Sequence, residues 1–177
     1  LGAYAGQSLT YSGGNTVVGF SALKNNNIGS CTAIGYKALE NNSSASCVAV
    51  GYQACMKATS ANYIVGIGVN ACGGDTSGNA TGNYNVGIGS NALGPFTTGH
   101  DNVGIGHYAG MYLTEGSSNV VIGTEAGGGL TTADNCVLIG HVAGGYETLT
   151  GDDNIAIGYY SGRVIESGAN NVLLGSE

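Results

Sequence analysis

The stretch NVGIGHYAG, residues 102–110, places three glycines behind an apolar run, as a loop that cradles a phosphate would do. Altered copies of it stand at 66–73 (GIGVNACG) and 87–94 (GIGSNALG). A dinucleotide-binding fold has one such loop for each site, so a string that recurs along the chain does not indicate a nucleotide. The recurrence indicates a repeated architecture.

The repeat is marked by the glycine that ends each Ile-Gly-like pair, which we call the phase glycine. Successive phase glycines lie 16 to 18 residues apart, with one interval of 21. This period is typical of a solenoid, in which each repeat forms one coil. The phase glycines are Gly2, Gly19, Gly35, Gly51, Gly68, Gly89, Gly106, Gly123, Gly140, Gly158 and Gly175. They span the chain, which predicts a single repeat domain over 1–177.

Each repeat contains one predicted short strand, just before its phase glycine. The residue before the glycine is always aliphatic, and the residue three before it is Thr, Val or Ile. These positions share one face of a strand, and β-branched residues suit a pleated surface. We interpret this face, with the Ala or Ser three residues after the glycine, as the inside of the coil. The phase glycine is interpreted as a corner that leads into a second short strand.

The pattern therefore predicts an all-β fold, a parallel β-solenoid of about ten coils with a repeat of about 17 residues. Four residues before the phase glycine stands Asn in six repeats and Cys in three. The asparagines either form a hydrogen-bonded ladder between coils about 4.8 Å apart or simply suit a turn before the strand. The interval of 21 residues contains GGDTSGNATG (73–82), which predicts a loop that bulges from the stack.

The middle residue of each predicted strand lies between the two aliphatic positions, so we expect it to face outward. None of these residues is polar, although the water-facing side of a lone solenoid should carry polar residues. We interpret the stripe as an oligomer interface on which parallel copies pack. It comprises Val17, Ala33, Ala49, Gly66, Gly87, Gly104, Val121, Leu138, Ala156 and Leu173.

Charge and composition exclude several classes of partner. The net charge is −7 with only four Lys and Arg, and no basic cluster is present, so nucleic acid is a poor partner. No run approaches the roughly 18 apolar residues of a membrane span, so we expect no membrane insertion. The chain begins and ends within a motif, which leads us to expect a segment of a longer fibrous chain.

The five cysteines form two candidate pairs. Cys31 and Cys47 occupy the asparagine position of neighbouring repeats, and Cys55 and Cys72 share another position. Each pair could approach the distance of a disulfide, but strands in register seldom aim two Cβ atoms for bridging. We therefore favour buried free thiols that act as small apolar groups. Zinc is disfavoured because no C-x-x-C occurs.

The remaining polar residues predict no metal, cofactor or catalytic site. His107 and His141 share one position but stand two coils apart, too far to hold one ion within a chain. The acids of the predicted turns lack the nine-residue rhythm of calcium-binding repeats. No nucleophile stands beside a base in a cleft, and the repeat lacks the six-residue spacing of hexapeptide acyltransferases, so we expect no enzyme. These turn acids are Asp101, Asp134, Asp152 and Asp153.

The unit N-x-V-x-I-G-x-x-A, as in NVGIGHYA (102–109) and NVVIGTEA (119–126), resembles the head repeats of trimeric autotransporter adhesins. It is more similar still to the repeats of about 17 residues in phage tail fibres, whose wording AIGYKALENN (33–42) and TTG (97–99) match. The resemblance covers essentially the whole chain. It implies a left-handed parallel β-roll, usually a homotrimer of chains side by side. The period and the cysteines depart from the adhesin heads.

These observations lead us to expect a structural or adhesive segment of a fibre that is extracellular, at the cell surface or on a virion. Self-association, as a homotrimer, is the expected partnership. Exposed tyrosines would suit a host-surface glycan or protein receptor. The alternative is a subunit of an extracellular filament in which solenoids stack end to end. The tyrosines are Tyr36, Tyr52, Tyr108, Tyr159 and Tyr160.

Overall fold

The computed structural model describes residues 2–10, 13–26, 29–73 and 80–177. In these ranges the chain forms ten strands of three residues and no helix, and each strand ends just before a phase glycine. The strands are β1 (Thr16–Val18), β2 (Thr32–Ile34), β3 (Val48–Val50), β4 (Val65–Ile67), β5 (Val86–Ile88), β6 (Val103–Ile105), β7 (Val120–Ile122), β8 (Val137–Ile139), β9 (Ile155–Ile157) and β10 (Val172–Leu174).

The ten strands form one parallel sheet in which each strand pairs with the next along the chain. Equivalent residues lie opposite each other, so Thr16 faces Thr32 at one end of the sheet and Ile155 faces Val172 at the other. Strands that pair in this order require one coil for each repeat, and the predicted parallel β-solenoid is confirmed. Its left-handed sense stays a prediction. Most of the predicted bulge at 73–82 lies outside the described residues.

The face of each strand that points into the coil is the opposite of the face that we expected to be inside. Val121 and Leu138, in the middle of their strands, are fully buried within one chain, whereas Val18 and Ile34 are 46% and 37% exposed. Residues alternate along a strand, but the alternation does not say which face is inside. The interior also holds the alanine column, and only one residue of each strand fits beside it.

The predicted oligomer interface is therefore wrong, because its residues line the core of a single coil. Eight of them are buried, and the two in the outermost strands are half-buried. They are Val17, Ala33, Ala49, Gly66, Gly87, Gly104, Val121, Leu138, Ala156 and Leu173. The stripe avoids water because the coil folds around it, and a second copy of the chain has no access to it.

The size of each middle residue is related to that of the turn residue, which lies four positions after the preceding phase glycine. A large turn residue is accompanied by a small middle residue. A Cβ added to Gly66 would lie 2.4 Å from the Sγ of Cys55, and one added to Gly104 would lie 2.7 Å from the Cγ of Leu93. Where the turn residue is itself glycine, the middle residue is larger in most coils, as in the pairs Gly110 with Val121 and Gly127 with Leu138, and the pair of Gly144 with Ala156 is the exception. In most coils the two positions thus compensate each other in volume, as close packing requires.

The phase glycine forms the corner after each strand, as predicted. Gly106 has a φ of 135°, and a Cβ there would lie 2.4 Å from the carbonyl oxygen of Gly123 in the next coil. The expected second strand is absent from the described coils, which continue as turns. Residues with a positive φ in these turns hydrogen-bond to the neighbouring coils on both sides. Leu93 N–H donates to Ala109 O of the following coil at 2.9 Å, and Tyr108 N–H donates to Ser90 O of the preceding coil at 3.0 Å.

The asparagine ladder is confirmed. The Oδ1 of Asn85 accepts the backbone N–H of Asn102 at 3.0 Å, and the Oδ1 of Asn102 accepts that of Asn119 at 2.9 Å. The Nδ2 of each donates to a carbonyl oxygen of the next coil, such as Asn102 to Gly116 at 2.8 Å. Within the described ranges no buried side-chain nitrogen or oxygen lacks a partner. These amides tie successive coils together at the start of each strand.

The five cysteines are buried free thiols, as we favoured. A hydrogen bond with Cys72, together with burial, holds the pKa of the Cys55 thiol well above its ordinary value. Contact with Cys31 and burial act in the same direction on the pKa of Cys47, and burial raises the pKa of Cys136. These raised pKa values keep Cys47, Cys55 and Cys136 protonated at neutral pH, whereas a hydrogen bond with Cys47 lowers the pKa of the Cys31 thiol to about 7. All five buried side chains act as small core groups.

We expect Gly106→Ala to lower the free energy of unfolding by about 2 kcal/mol or more, because it combines an unfavourable φ with a clash against backbone. Gly94→Ala is the control, since its Cβ would be no closer than 3.4 Å to any neighbour. The control should change stability by less than about 0.5 kcal/mol. Denaturant titration followed by circular dichroism measures both. Equal effects of the two variants would contradict the assigned corner.

The matched core pair predicts a compensating double variant. Gly104→Val alone should destabilise by about 1–3 kcal/mol through overpacking, and Leu93→Gly alone by about 2–5 kcal/mol through the cavity it leaves. The double variant recreates the pair found at Gly110 and Val121 and should lose at least about 1 kcal/mol less than the sum. The same unfolding titration measures the cycle. Additive losses would show that these residues do not share one space.

The assignment of the cysteines as buried thiols predicts that the native protein resists thiol–disulfide exchange with an added reagent. At pH 8 we expect none of the five cysteines to react promptly with a chromogenic disulfide reagent, because each is buried beyond its reach, including Cys31 with its lowered pKa. All five should react once denaturant is added. Rapid reaction of even one thiol in the folded protein would contradict the packing.

Candidate functional site

The outer strand face is an apolar surface that runs along all ten strands of the sheet. It comprises the first and third residues of all ten strands, from Thr16 and Val18 in β1 to Val172 and Leu174 in β10. Only Thr16 and Thr32 among these residues are polar, and none is charged. The face is half-buried to exposed throughout. A sheet with a solvated face normally carries polar residues there, so this apolar face is the candidate interaction surface of the chain.

The dimensions of the outer strand face suit a protein interface. Ten strands spaced by about 4.8 Å make a strip about 43 Å long. Each strand and the phase glycine after it make the strip four residues wide, or about 13 Å. This width gives an area of roughly 550 Å² for each copy. Two such faces would bury about 1,100 Å², just above the lower limit of about 1,000 Å² for a specific interface.

A column of residues borders the outer strand face directly after the phase glycines, and six of its eleven members are aromatic, so we call it the aromatic column. The ring centroids of Phe20 and Tyr36 lie 5.5 Å apart and those of Tyr36 and Tyr52 lie 5.2 Å apart, with nearly parallel planes. His141 and Tyr159 stack in the same way at 5.4 Å. The stacked rings cover each other's faces and present mainly their edges. A sugar packs on an aromatic face, so this column favours contact with protein over contact with glycan.

The predicted metal-ligand candidates have structural positions instead. His107 and His141 lie exposed in the column after the phase glycine. The turn acids cap backbone groups of the preceding coil, since Asp134 Oδ1 accepts Ser117 N–H at 2.7 Å and Asp152 Oδ1 accepts Asp134 N–H at 2.9 Å. In the part of the chain that the structure describes, no three His, Cys, Asp or Glu side chains converge as metal ligands would.

Sequence reasoning missed the outer strand face because it assigned those residues to the core. A signal was available in the middle column and the turn column, whose sizes vary inversely from coil to coil. Such compensation is expected only of residues that share a closed space. It would have placed the middle residues inside and the branched residues outside.

Among the described residues, no helix is long and apolar enough to cross a lipid bilayer. Comparison of the chain with protein-family models, with curated proteins and with solved structures finds no match. The function is therefore inferred from the geometry of the chain itself.

Proposed function

We propose that this chain is a segment of an extracellular, cell-surface or virion fibre, in which parallel copies pack through the outer strand face. The observation that carries the proposal is an apolar sheet face, free of charge over all ten strands, that no part of the described chain covers. An apolar strip of this length would make an isolated copy prone to association. Parallel, in-register copies would bring like residues together along the entire strip.

The thin interior also favours lateral packing. Its buried apolar residues are mostly Ala, Cys and Leu, with Phe96 the largest of those fully buried. Burial of such small side chains contributes less for each ordered residue than the core of an ordinary domain does. Covering the outer strand face would add two branched side chains for each coil, at about 25 cal/mol per Å² of apolar area. We infer that the assembled fibre is substantially more stable than one chain.

The number of copies follows from the resemblance to trimeric adhesin heads and tail fibres, and we propose a homotrimer. A triangular arrangement would let each outer strand face contact both neighbours around an apolar axis. The aromatic column would then lie at the seam between two chains. A role in adhesion would add a host-surface glycan or protein receptor that contacts the outside of the fibre, away from that seam.

A mechanical role also agrees with the openings of the surface. One opening, of about 510 Å³, lies at the last described coil between β10 and residues 160–165. Its Ser161 hydroxyl donates to the Leu173 carbonyl oxygen at 3.0 Å and so has a structural partner. We propose no catalytic activity for this surface.

The alternative, an end-to-end filament, would use the open edges of β1 and β10 in place of the outer strand face. Electron microscopy distinguishes the two assemblies. Lateral packing predicts a rod several solenoids wide, whereas end-to-end stacking predicts a thread one solenoid wide.

The lateral assembly is tested with Ile105→Lys together with Ile122→Lys, which place charges in the centre of the outer strand face. We expect association to weaken by at least about a hundredfold, because like charges would be buried opposite each other. Sedimentation velocity over a range of concentrations measures the shift from oligomer to monomer. Circular dichroism should show an intact fold, since both side chains point away from the core.

The control is Val164→Lys, a 70% exposed aliphatic residue that lies outside the outer strand face. It should leave the oligomer unchanged. A parent protein that is monomeric at every concentration, or a double variant that associates as the parent does, would refute the proposal.

A further inference from the structure

A small opening in the turns of three successive coils has a lining unlike the rest of the surface. Its volume is about 180 Å³. Three tyrosines, a methionine thioether, a carboxylate and a glycine surround it. We call it the aromatic pocket, and its residues are Tyr108, Met111, Tyr112, Glu125, Gly128 and Tyr146. None of them belongs to the outer strand face, so packing of copies through that face leaves the pocket free.

The pocket exists because the middle one of the three coils lacks side chains at its centre. Residues 127–129 are three consecutive glycines. Tyr112 and Tyr146 occupy the same position of the coils on either side, at which the middle coil has Gly129. Two coil spacings separate the tyrosines by roughly 10 Å along the axis, enough for a group to enter between them. A Cβ on Gly128 would lie 3.0 Å from the Cδ1 of Tyr146, so a side chain there would push this ring away from the middle coil by a few tenths of an ångström.

The pocket combines aromatic surface with one negative charge. The hydroxyl of Tyr146 donates a short hydrogen bond to the carboxylate of Glu125. That bond raises the pKa of Tyr146 to about 12, so the ring stays neutral at physiological pH. Within the described ranges Glu125 takes part in no ion pair with Lys, Arg or His. The carboxylate is therefore held in place by a neutral group, and no described basic side chain pairs with it.

We propose that the aromatic pocket binds a quaternary ammonium group, such as the trimethylammonium group of choline. The faces of tyrosine rings attract a cation, and the methionine sulfur adds a polarisable contact. A primary ammonium is strongly hydrated and needs several hydrogen-bond acceptors, whereas a quaternary ammonium needs none. Because Tyr146 already occupies the Glu125 carboxylate, the pocket is better suited to a cation that requires charge compensation without hydrogen bonds.

The proposal is tested by titrating the intact protein with choline chloride at constant ionic strength, with NMR detection of the tyrosine ring signals. We expect saturable shifts confined to the tyrosines of the aromatic pocket. The uncharged analogue 3,3-dimethylbutan-1-ol has the same shape without the charge and should bind at least about fivefold more weakly. Absence of saturable shifts, or equal binding of the uncharged analogue, would overturn the proposal.

Variants assign the binding to individual groups. Glu125→Gln keeps the size of the side chain and removes its charge, and Tyr112→Ala removes one ring that is 52% exposed. Each should weaken choline binding about three- to fivefold or more. Tyr84→Ala is the control, since this exposed ring stacks on Tyr63 away from the pocket. Choline binding that is insensitive to Glu125→Gln and Tyr112→Ala, or that falls equally in Tyr84→Ala, would refute the assignment.

The trimethylammonium group could come from a free solute or from a phosphocholine headgroup. Glycerophosphocholine carries the same cation with an adjacent phosphate diester. Binding of both compounds indicates a phosphocholine headgroup as the ligand. Binding of choline alone indicates a free solute as the ligand, because the Glu125 carboxylate would then repel the phosphate. If neither choline nor glycerophosphocholine binds, the proposal is overturned.

Discussion

The close approach of successive backbones at the phase glycine is the constraint on which the solenoid depends. At every such corner that another coil follows, a side chain would enter the space of the carbonyl group of that coil. The glycine thereby lets the coils approach to the spacing that strand hydrogen bonds require, and this spacing allows the asparagine amides to align. Strand pairing, the amide ladder and the stacked rings all repeat with the spacing that this contact allows.

The repeat and its strands could be predicted from sequence because each depends on local chemistry. Gly106 needs a backbone conformation that other residues avoid, and the residues on either side of Gly104 are branched, so the corner and the strand are both visible in the sequence. The inside of the coil was assigned to the wrong face. A strand of three residues leaves both faces consistent with the pattern, and hydrophobicity does not separate them because the outer face is apolar as well.

The candidate sites show the same division. An apolar stripe suited to association was predicted, but it lies one residue away from the predicted column, on the opposite face of every strand. The aromatic pocket was not predicted, because Tyr112, Glu125 and Tyr146 come from three coils and their proximity depends on how the rings lean. The run of three glycines at 127–129 was its sequence signal. Once the register of the coils is known, a glycine between two aromatic residues at the same position of successive coils, as Gly129 lies between Tyr112 and Tyr146, indicates a cavity.

The matched volumes inside the coil also define how such a chain can change length during evolution. Leu93 and Gly104 fill one space, and Val121 fills the corresponding space beside Gly110. A duplication or deletion with a break point between the two members of a pair would set Leu93 opposite Val121 and overfill the coil, whereas a break elsewhere in the repeat would preserve every pair. The heritable module is therefore the turn together with the strand that follows it, and the periodic glycine lies at the seam between modules.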